Sequence, residues 1–258
     1  MKNHSRNPAR HFEHAAEFRF YGELNDFLLL SQRAQSLTYR FNGNPGIKDP
    51  IEAFGVPHTE VELIVVNGQS AGFGYQLKNA DRVDVYPISE SIAISPVVKL
   101  RNALPGTIAF VVDVNLGKLA RLLRLLGFDT LFANSFSDKV IVDISVDQQR
   151  VILTRDRRLL YAKAATYGYW VRSVIPQQQL AEVVRRFDLA ALVRPFYRCT
   201  LCNGLIDPVE KQQVFNLLQP KTKKYYEAFY RCRNCNKIYW EGSHIENIRE
   251  RLAGYLAG

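Results

Sequence analysis

"RVILTRDRRLL", residues 150–160, begins as a buried β-strand and ends as something else. Val151, Ile152 and Leu153 form an apolar, largely β-branched run of the kind that fills the middle of a parallel sheet. Polarity then reverses within one residue. Thr154 and Asp156 close the strand, and Arg155, Arg157 and Arg158 crowd around a single carboxylate. Chemistry in open parallel sheets collects outside the carboxyl ends of the strands. The stretch therefore predicts a central strand with a functional rim at its end.

The flanking segments alternate in the same way. "TIAFVVD" (107–113) reads as a strand, "NLGKLARLLRLLG" (115–127) as an amphipathic helix ending at Gly127, and "DTLF" (129–132) as a short strand. "SDKVIVDISVDQQ" (137–149) is a helix capped by Ser137 or Asp138, while "RRLLYAKAATYG" (157–168), "YWVR" (169–172) and "PQQQLAEVVRRFDL" (176–189) read as helix, strand, helix. Strands alternating with helices imply a parallel sheet with right-handed crossovers over residues 107–195.

Upstream the pattern differs. Residues 1–15 are polar and aperiodic, which predicts a mobile tail whose His4, His11 and His14 are solvated. From Ala16, "AEFRFYG" alternates like a strand, "IKDPIEAFG" (47–55) reads as a short helix with a Gly cap, and Asn67-Gly68 marks a hairpin. "DRVDVYPI" (81–88) supplies a last strand, so residues 16–95 read as a β-grasp domain, followed by a Pro-containing linker over 96–106. The fold class expected is thus α/β and α+β multidomain: a β-grasp, a three-layer α/β/α parallel-sheet domain, and a small domain over 196–258 that ends in a C-terminal helix.

Two strands each end on an acid, Asp113 after "IAFVV" and Asp156 after "VILT"; Asp138 opens the helix on the same loop side. Three converging carboxylates repel one another unless a cation neutralises them, and an all-oxygen set suits Mg²⁺ or Mn²⁺. Thr154 shares the face of Asp156 and is placed to orient a ligand or a water. Each acid also has a plainer reading as a helix N-cap. Asp143 and Asp147 pair by helical spacing with Lys139 and Arg150, the pattern of a solvated face. On the helix 115–127, Leu119, Ala120, Leu122, Leu123 and Leu126 face the core. Lys118, Arg121 and Arg124 share the other side, as a solvated stripe or as an edge that meets phosphates.

All four cysteines occur as Cys199-x-x-Cys202 and Cys232-x-x-Cys235, separated by 29 residues. Two such turns present four thiolates at tetrahedral spacing, which predicts a closed structural Zn²⁺ ribbon with no open position for catalysis. Between them, Lys221, Lys223 and Lys224 stand beside Tyr225 and Tyr226, either a nucleic-acid surface or a lysine-rich loop packed on the ribbon. Trp240 is expected to pack on the ribbon, and His244 is a weak candidate for substrate contact. Charge is uneven: residues 1–97 hold 9 Lys and Arg against 11 Asp and Glu, residues 98–258 hold 25 against 14. The basic part predicts a polyanionic partner. No apolar run reaches the length of a membrane span and the first residues lack a signal-peptide core, so the expected location is cytoplasmic.

"FVVDVNLGKLARLLRLLGFDT", "VILTRDRRLL", "RCTLCN" and "CRNCNKIYWEGSH" together resemble the Mut-seven C-terminal RNase domain family, a PIN-like fold carrying a zinc ribbon. "FRFYGELNDFL" and "GVPHTEVELIVVNG" resemble the ubiquitin-like domain fused ahead of it. The resemblance implies a metal-dependent ribonuclease in which Asp113, Asp138 and Asp156 match the acidic catalytic positions. Val114 stands where many relatives have a second acid, and Gln148 near where many have Glu. The expected chemistry is hydrolysis of RNA, with Lys118, Arg121, Thr154, Arg155 and Arg157 contacting substrate; a non-catalytic RNA-binding adaptor and a flap-cutting DNase are the rivals. "LIVVNG" followed by "DRVDVYP" also resembles the ubiquitin-like sulfur carriers, but no stretch supplies the free Gly-Gly terminus through which those act, so the expected role of the β-grasp domain is docking, with a protein as partner, or stabilisation.

Overall fold

The strand β1 (His14–Phe20) buries Ala16, Phe18 and Phe20 on one face, as its alternation requires. It begins two residues before Ala16, because His14 already pairs with Phe41. The computed structural model describes residues 12–87, 96–100 and 108–240, and the chain divides into two units near Ala103. His4, His11, His244, most of the expected linker and the expected C-terminal helix lie outside the described residues.

In the first unit, β1 is followed by β2 (Ser36–Phe41), α1 (Lys48–Ala53), β3 (Leu63–Val66), β4 (Gln69–Ala71) and β5 (Arg82–Tyr86). The sheet order is β2-β1-β5-β3-β4, with β1 and β5 parallel and the other pairs antiparallel. This mixed sheet with one helix is a β-grasp. The β3–β4 hairpin turns at Asn67 and Gly68, both with positive φ, the conformation that an Asn-Gly turn supplies. The edge strand β2 has one exposed face and was not legible as a strand from its pattern. At the turn into β5, Asp81 accepts hydrogen bonds from Asn67 Nδ2 (2.8 Å), Tyr75 Oη (3.0 Å) and the Lys78 backbone (2.8 Å). That turn forces Ala80 to φ 66°.

The second unit opens with β6 (Ala109–Val112), α2 (Gly117–Leu125), β7 (Asp129–Leu131), α3 (Asp138–Asp147), β8 (Val151–Thr154), β9 (Gly168–Trp170) and α4 (Pro176–Arg186). The four strands are parallel in the order β7-β6-β8-β9. Phe110 and Val112 pack with Leu119, Leu123, Leu180 and Val183 under α2 and α4, whereas Val111 and Ile152 pack with Ile141 and Leu160 on the α3 side. Three layers result, with a core on each face of the sheet. Helix α2 ends at Gly127, whose φ of 94° and close approach to the Arg194 carbonyl leave no room for a Cβ. The segment "RRLLYAKAATYG" forms only a single 3₁₀ stretch, Arg157–Tyr161, rather than the expected helix. The chain must already be extended at Tyr167, whose carbonyl accepts from the Ile152 N–H.

A three-stranded antiparallel ribbon follows: β10 (Ile206–Val209), then α5 (Lys211–Val214) and α6 (Pro220–Tyr225), then β11 (Phe229–Cys232) and β12 (Ile238–Trp240). Among the described residues no helix is long and apolar enough to cross a membrane.

Replacing Ala80 with Gly relieves a left-handed conformation that costs an L-residue about 1–2 kcal/mol, offset in part by the greater freedom of Gly in the unfolded chain. Ala80→Gly is expected to stabilise the first unit by roughly 0.5–1 kcal/mol, read as a higher urea midpoint at unchanged slope; a destabilised variant would contradict the strain.

Candidate active site and four-cysteine centre

Strand order reverses between β6 and β8: β7 lies beyond β6 on one side and β9 beyond β8 on the other. This switch point opens a crevice at the carboxyl ends of β6 and β8. Asp113 leaves β6 there, and Thr154 and Asp156 leave β8. The buried carboxylate of Asp113 caps the turn Val114–Leu116 by accepting from the Asn115 N–H at 2.7 Å. Its other oxygen accepts from the Arg155 N–H (2.7 Å) and, in a short hydrogen bond, from the Thr154 hydroxyl. The same hydroxyl accepts from the Asp156 N–H at 2.8 Å. Thr154 thus ties the two acids into one network.

Asp156 is also an N-cap, accepting from the Arg158 N–H at 2.9 Å. The Arg158 guanidinium closes on its carboxylate with Nη2 at 2.8 Å and holds it below the usual carboxylate range. Asp138 is exposed in the first turn of α3, where Ser137 is the cap. Its charge reaches Arg158, but the three aspartates do not bring their oxygens together. Among the described residues, only the four cysteines form a group of three or more candidate ligands lying within 4.8 Å of one another. The expected three-carboxylate ion site is therefore not assembled, because Asp113 and Asp156 each turn toward local donors. Mg²⁺ does not require three carboxylates, since it is commonly held by one or two together with water and phosphate oxygens. Asp113 and Asp156 fit that smaller role.

The expected substrate contacts divide. Arg155 is anchored: its Nη1 lies 2.5–3.2 Å from the carbonyls of Val171, Arg172 and Ser173, which pins the end of β9. Arg157 stacks on Trp170, 3.8 Å from the ring centre, with Arg172 also near the ring. Lys118 and Arg121 are exposed on α2. Arg124, read as part of their stripe, is buried instead; Nε donates to the Thr130 carbonyl (2.8 Å) and Nη1 to the Leu201 carbonyl (2.9 Å). Arg150, read as a partner for Asp147, turns inward to Asp129 at 2.7 Å after Gln149 takes φ 51°. Lys139 and Asp143 form the exposed pair their spacing suggested. In the insert, Lys223 and Lys224 lie over Phe215 and Tyr225, and Tyr226 stands near a partly exposed Trp240.

Cys199 and Cys202 precede β10, while Cys232 ends β11 and Cys235 lies in the turn to β12. Their sulfurs approach to 3.5 Å for Cys199–Cys235 and 3.4 Å for Cys202–Cys232. A tetrahedral ion with metal–sulfur bonds of about 2.3 Å sets sulfurs about 3.8 Å apart, so the four thiols fit an ion such as zinc. Their ionisation points the same way. Burial pushes the Cys199 thiol up, but hydrogen bonds from Tyr239 and from the Cys202 and Leu201 backbone outweigh it and hold it at about 6. Burial pushes Cys202 up to about 12. The Cys199 thiolate forms readily while Cys202 and Cys235 are pushed up by burial, a penalty that a bound cation would offset.

Sequence reading assigned no role to Asp129, yet it joins the two parts of this unit. Burial would raise its carboxyl, but hydrogen bonds from Arg150 Nη1 (2.7 Å) and Asn203 Nδ2 (2.8 Å), together with the Arg150 and Arg198 charges, hold it below the usual range. Arg198 Nη2 lies 3.0 Å away, and Asn203 Oδ1 accepts from the Thr130 N–H. The only sequence signal was an acid between two apolar segments.

A family model described as the Mut7-C RNAse domain matches residues 108–252, and one described as Mut7-C ubiquitin matches residues 13–93. No curated protein and no solved structure matches the chain.

Because the folded Asp129 carboxyl is depressed, its stabilisation is complete above the unfolded carboxylate range, near pH 4, and is lost as pH falls through the lower folded value. Asp129→Asn is expected to cost about 3 kcal/mol at neutral pH, since it leaves the buried Arg150 uncompensated. Urea unfolding of the full chain should show the gap between wild type and variant closing below about pH 4; a gap independent of pH would rule out the charge as its source.

Proposed function

The chain belongs to the Mut7-C RNAse domain family, and on that premise we propose that it hydrolyses RNA phosphodiester bonds at the rim shared by Asp113 and Asp156. The observation that carries this reading is the Thr154 hydroxyl, which ties the Asp113 carboxylate to the Asp156 backbone at the switch point of the parallel sheet. Asp113 and Asp156 would hold the catalytic Mg²⁺ or Mn²⁺, with Asp138 the third acid nearby. When bound, such an ion supplies an activated water and charge at the leaving oxygen.

The rest is the work of the chain. Three donors hold the Asp113 carboxylate in one place at the rim. Arg158 neutralises Asp156 in the resting rim, and its side chain, 89% exposed, is free to turn to a phosphate once another cation takes its place. Arg157 on Trp170 presents charge beside an aromatic face, a combination that suits a base and its phosphate. Lys118 and Arg121 add charge along α2.

The four cysteines would hold a structural Zn²⁺, and cysteines paired for metal rather than for disulfides suit a reducing, cytoplasmic setting. The ubiquitin-like unit docks a protein partner; Leu29 and Leu30, 69% and 82% exposed, are the most exposed large apolar side chains among its described residues.

One observation favours a second reading, a non-catalytic RNA-binding adaptor: both oxygens of Asp113 and of Asp156 already accept hydrogen bonds from the protein. Cleavage of single-stranded RNA with Mn²⁺ separates the two. Asp156→Asn is expected to lower the rate roughly 100-fold while RNA binding persists. Equal cleavage by wild type and variant removes the mechanism, and salt-dependent binding without any product leaves the adaptor.

A further inference from the structure

A groove of about 620 Å³ follows α2 from its first turn to the first cysteine turn. Lys118, Arg121 and Leu125 line it from α2, Thr200 and Leu201 from the first cysteine turn, and Lys237 from the turn after Cys235. Three of the lining residues are cations and none is an acid. Leu201 is 59% exposed, an apolar side chain presented at the edge of a basic channel. The two walls are held together: Arg124, one turn beyond Arg121 and buried beneath the groove, bonds the Leu201 carbonyl from α2. The start of α4, at Pro176 and Gln177, completes the lining near the carboxyl rim of the sheet.

We propose that this groove is a binding track for single-stranded RNA, built jointly by α2 and the four-cysteine turns, which leads the strand toward the acidic rim. The inference rests on the RNA reading above and deepens it by placing the substrate path. A cleft lined by cations with leucines among them suits a flexible strand, whose phosphates meet Lys118, Arg121 and Lys237 while an unstacked base covers Leu125 and Leu201. A duplex keeps its bases stacked inside and has nothing to offer those leucines. Because two of the cysteine turns supply wall residues, the metal-bound ribbon is part of the RNA site as well as a structural staple.

The test is binding of a short fluorescein-labelled oligouridylate to the full, metal-loaded chain, in buffer without added Mg²⁺ or Mn²⁺ so that no cutting intervenes. The triple variant Lys118→Ala, Arg121→Ala, Lys237→Ala is expected to bind at least tenfold more weakly. Its plot of log affinity against log salt should be shallower by about 2, since each phosphate contact on a single strand contributes about 0.7. Leu201→Glu, which puts an acid at the groove edge, is expected to weaken binding as well, and wild type should prefer the single strand to its duplex. Unchanged thermal melting and cysteine-bound metal content establish that the variants are folded. A triple variant with wild-type affinity and salt slope, or a wild type that prefers duplex, overturns the groove and leaves cleavage at Asp113 and Asp156 to be judged by Asp156→Asn. A wild type that binds no RNA overturns both.

Discussion

Buried charge at the seam between the α/β sheet and the ribbon is the constraint on which the second unit depends. Arg124, Arg150 and Arg198 converge there, and the single carboxylate of Asp129 answers two of them directly. Arg124 is satisfied by carbonyls and lies near the cysteines, and burial, with the Arg121 charge beside it, lowers its affinity for a proton. Guanidinium groups suit this position because they are weakly hydrated and carry several donors in one plane, so each can cap more than one backbone oxygen. The seam fixes the ribbon to the sheet through polar groups that tolerate few other arrangements. An apolar seam of similar area would allow sliding, and the walls of the α2 groove would not keep their spacing.

The run "TRDRR" shows why composition alone misleads about such a site. Three arginines beside one acid suggest a phosphate trap, yet each has a different task. Arg155 holds the end of β9 through three carbonyls, and its own N–H fixes Asp113. Arg157 lies flat on Trp170. Arg158 closes on Asp156. Only the last two extend a guanidinium beyond the backbone, and the first is the strut that makes the rim a fixed shape.

The α/β alternation was legible because it depends on local period, and the same holds for the cysteine turns and for the Asn67-Gly68 hairpin. The architecture read from those signals is the one observed. Features that depend on partners distant in sequence were not legible. Strand β2 has a half-exposed pattern that only β1 makes into a strand. Arg124 falls on the polar stripe of α2 by helical geometry, and only the first cysteine turn, 76 and 77 residues away, explains its burial. Asp129 looks like any acid before a short strand until Arg150, Arg198 and Asn203 reach it from three other segments. The acids at the strand ends were visible one at a time. Their mutual geometry was not, since each carboxylate had a local donor with which the sequence spacing was equally compatible.

Those local donors bear on how such a rim works. A carboxylate already satisfied by backbone N–H groups is held immobile, which keeps an oxygen in place but leaves fewer lone pairs for an ion. Asp113 has accepted that limit, with three donors on two oxygens and burial on the remaining sides. Asp156 has not: its strongest partner is a surface side chain, and exposed ion pairs of this kind contribute at most about 1 kcal/mol. The asymmetry assigns the two acids different parts. Asp113 is fixed by its donors, whereas Asp156 can leave Arg158 at little cost, so only the second carboxylate is easily made available to another partner.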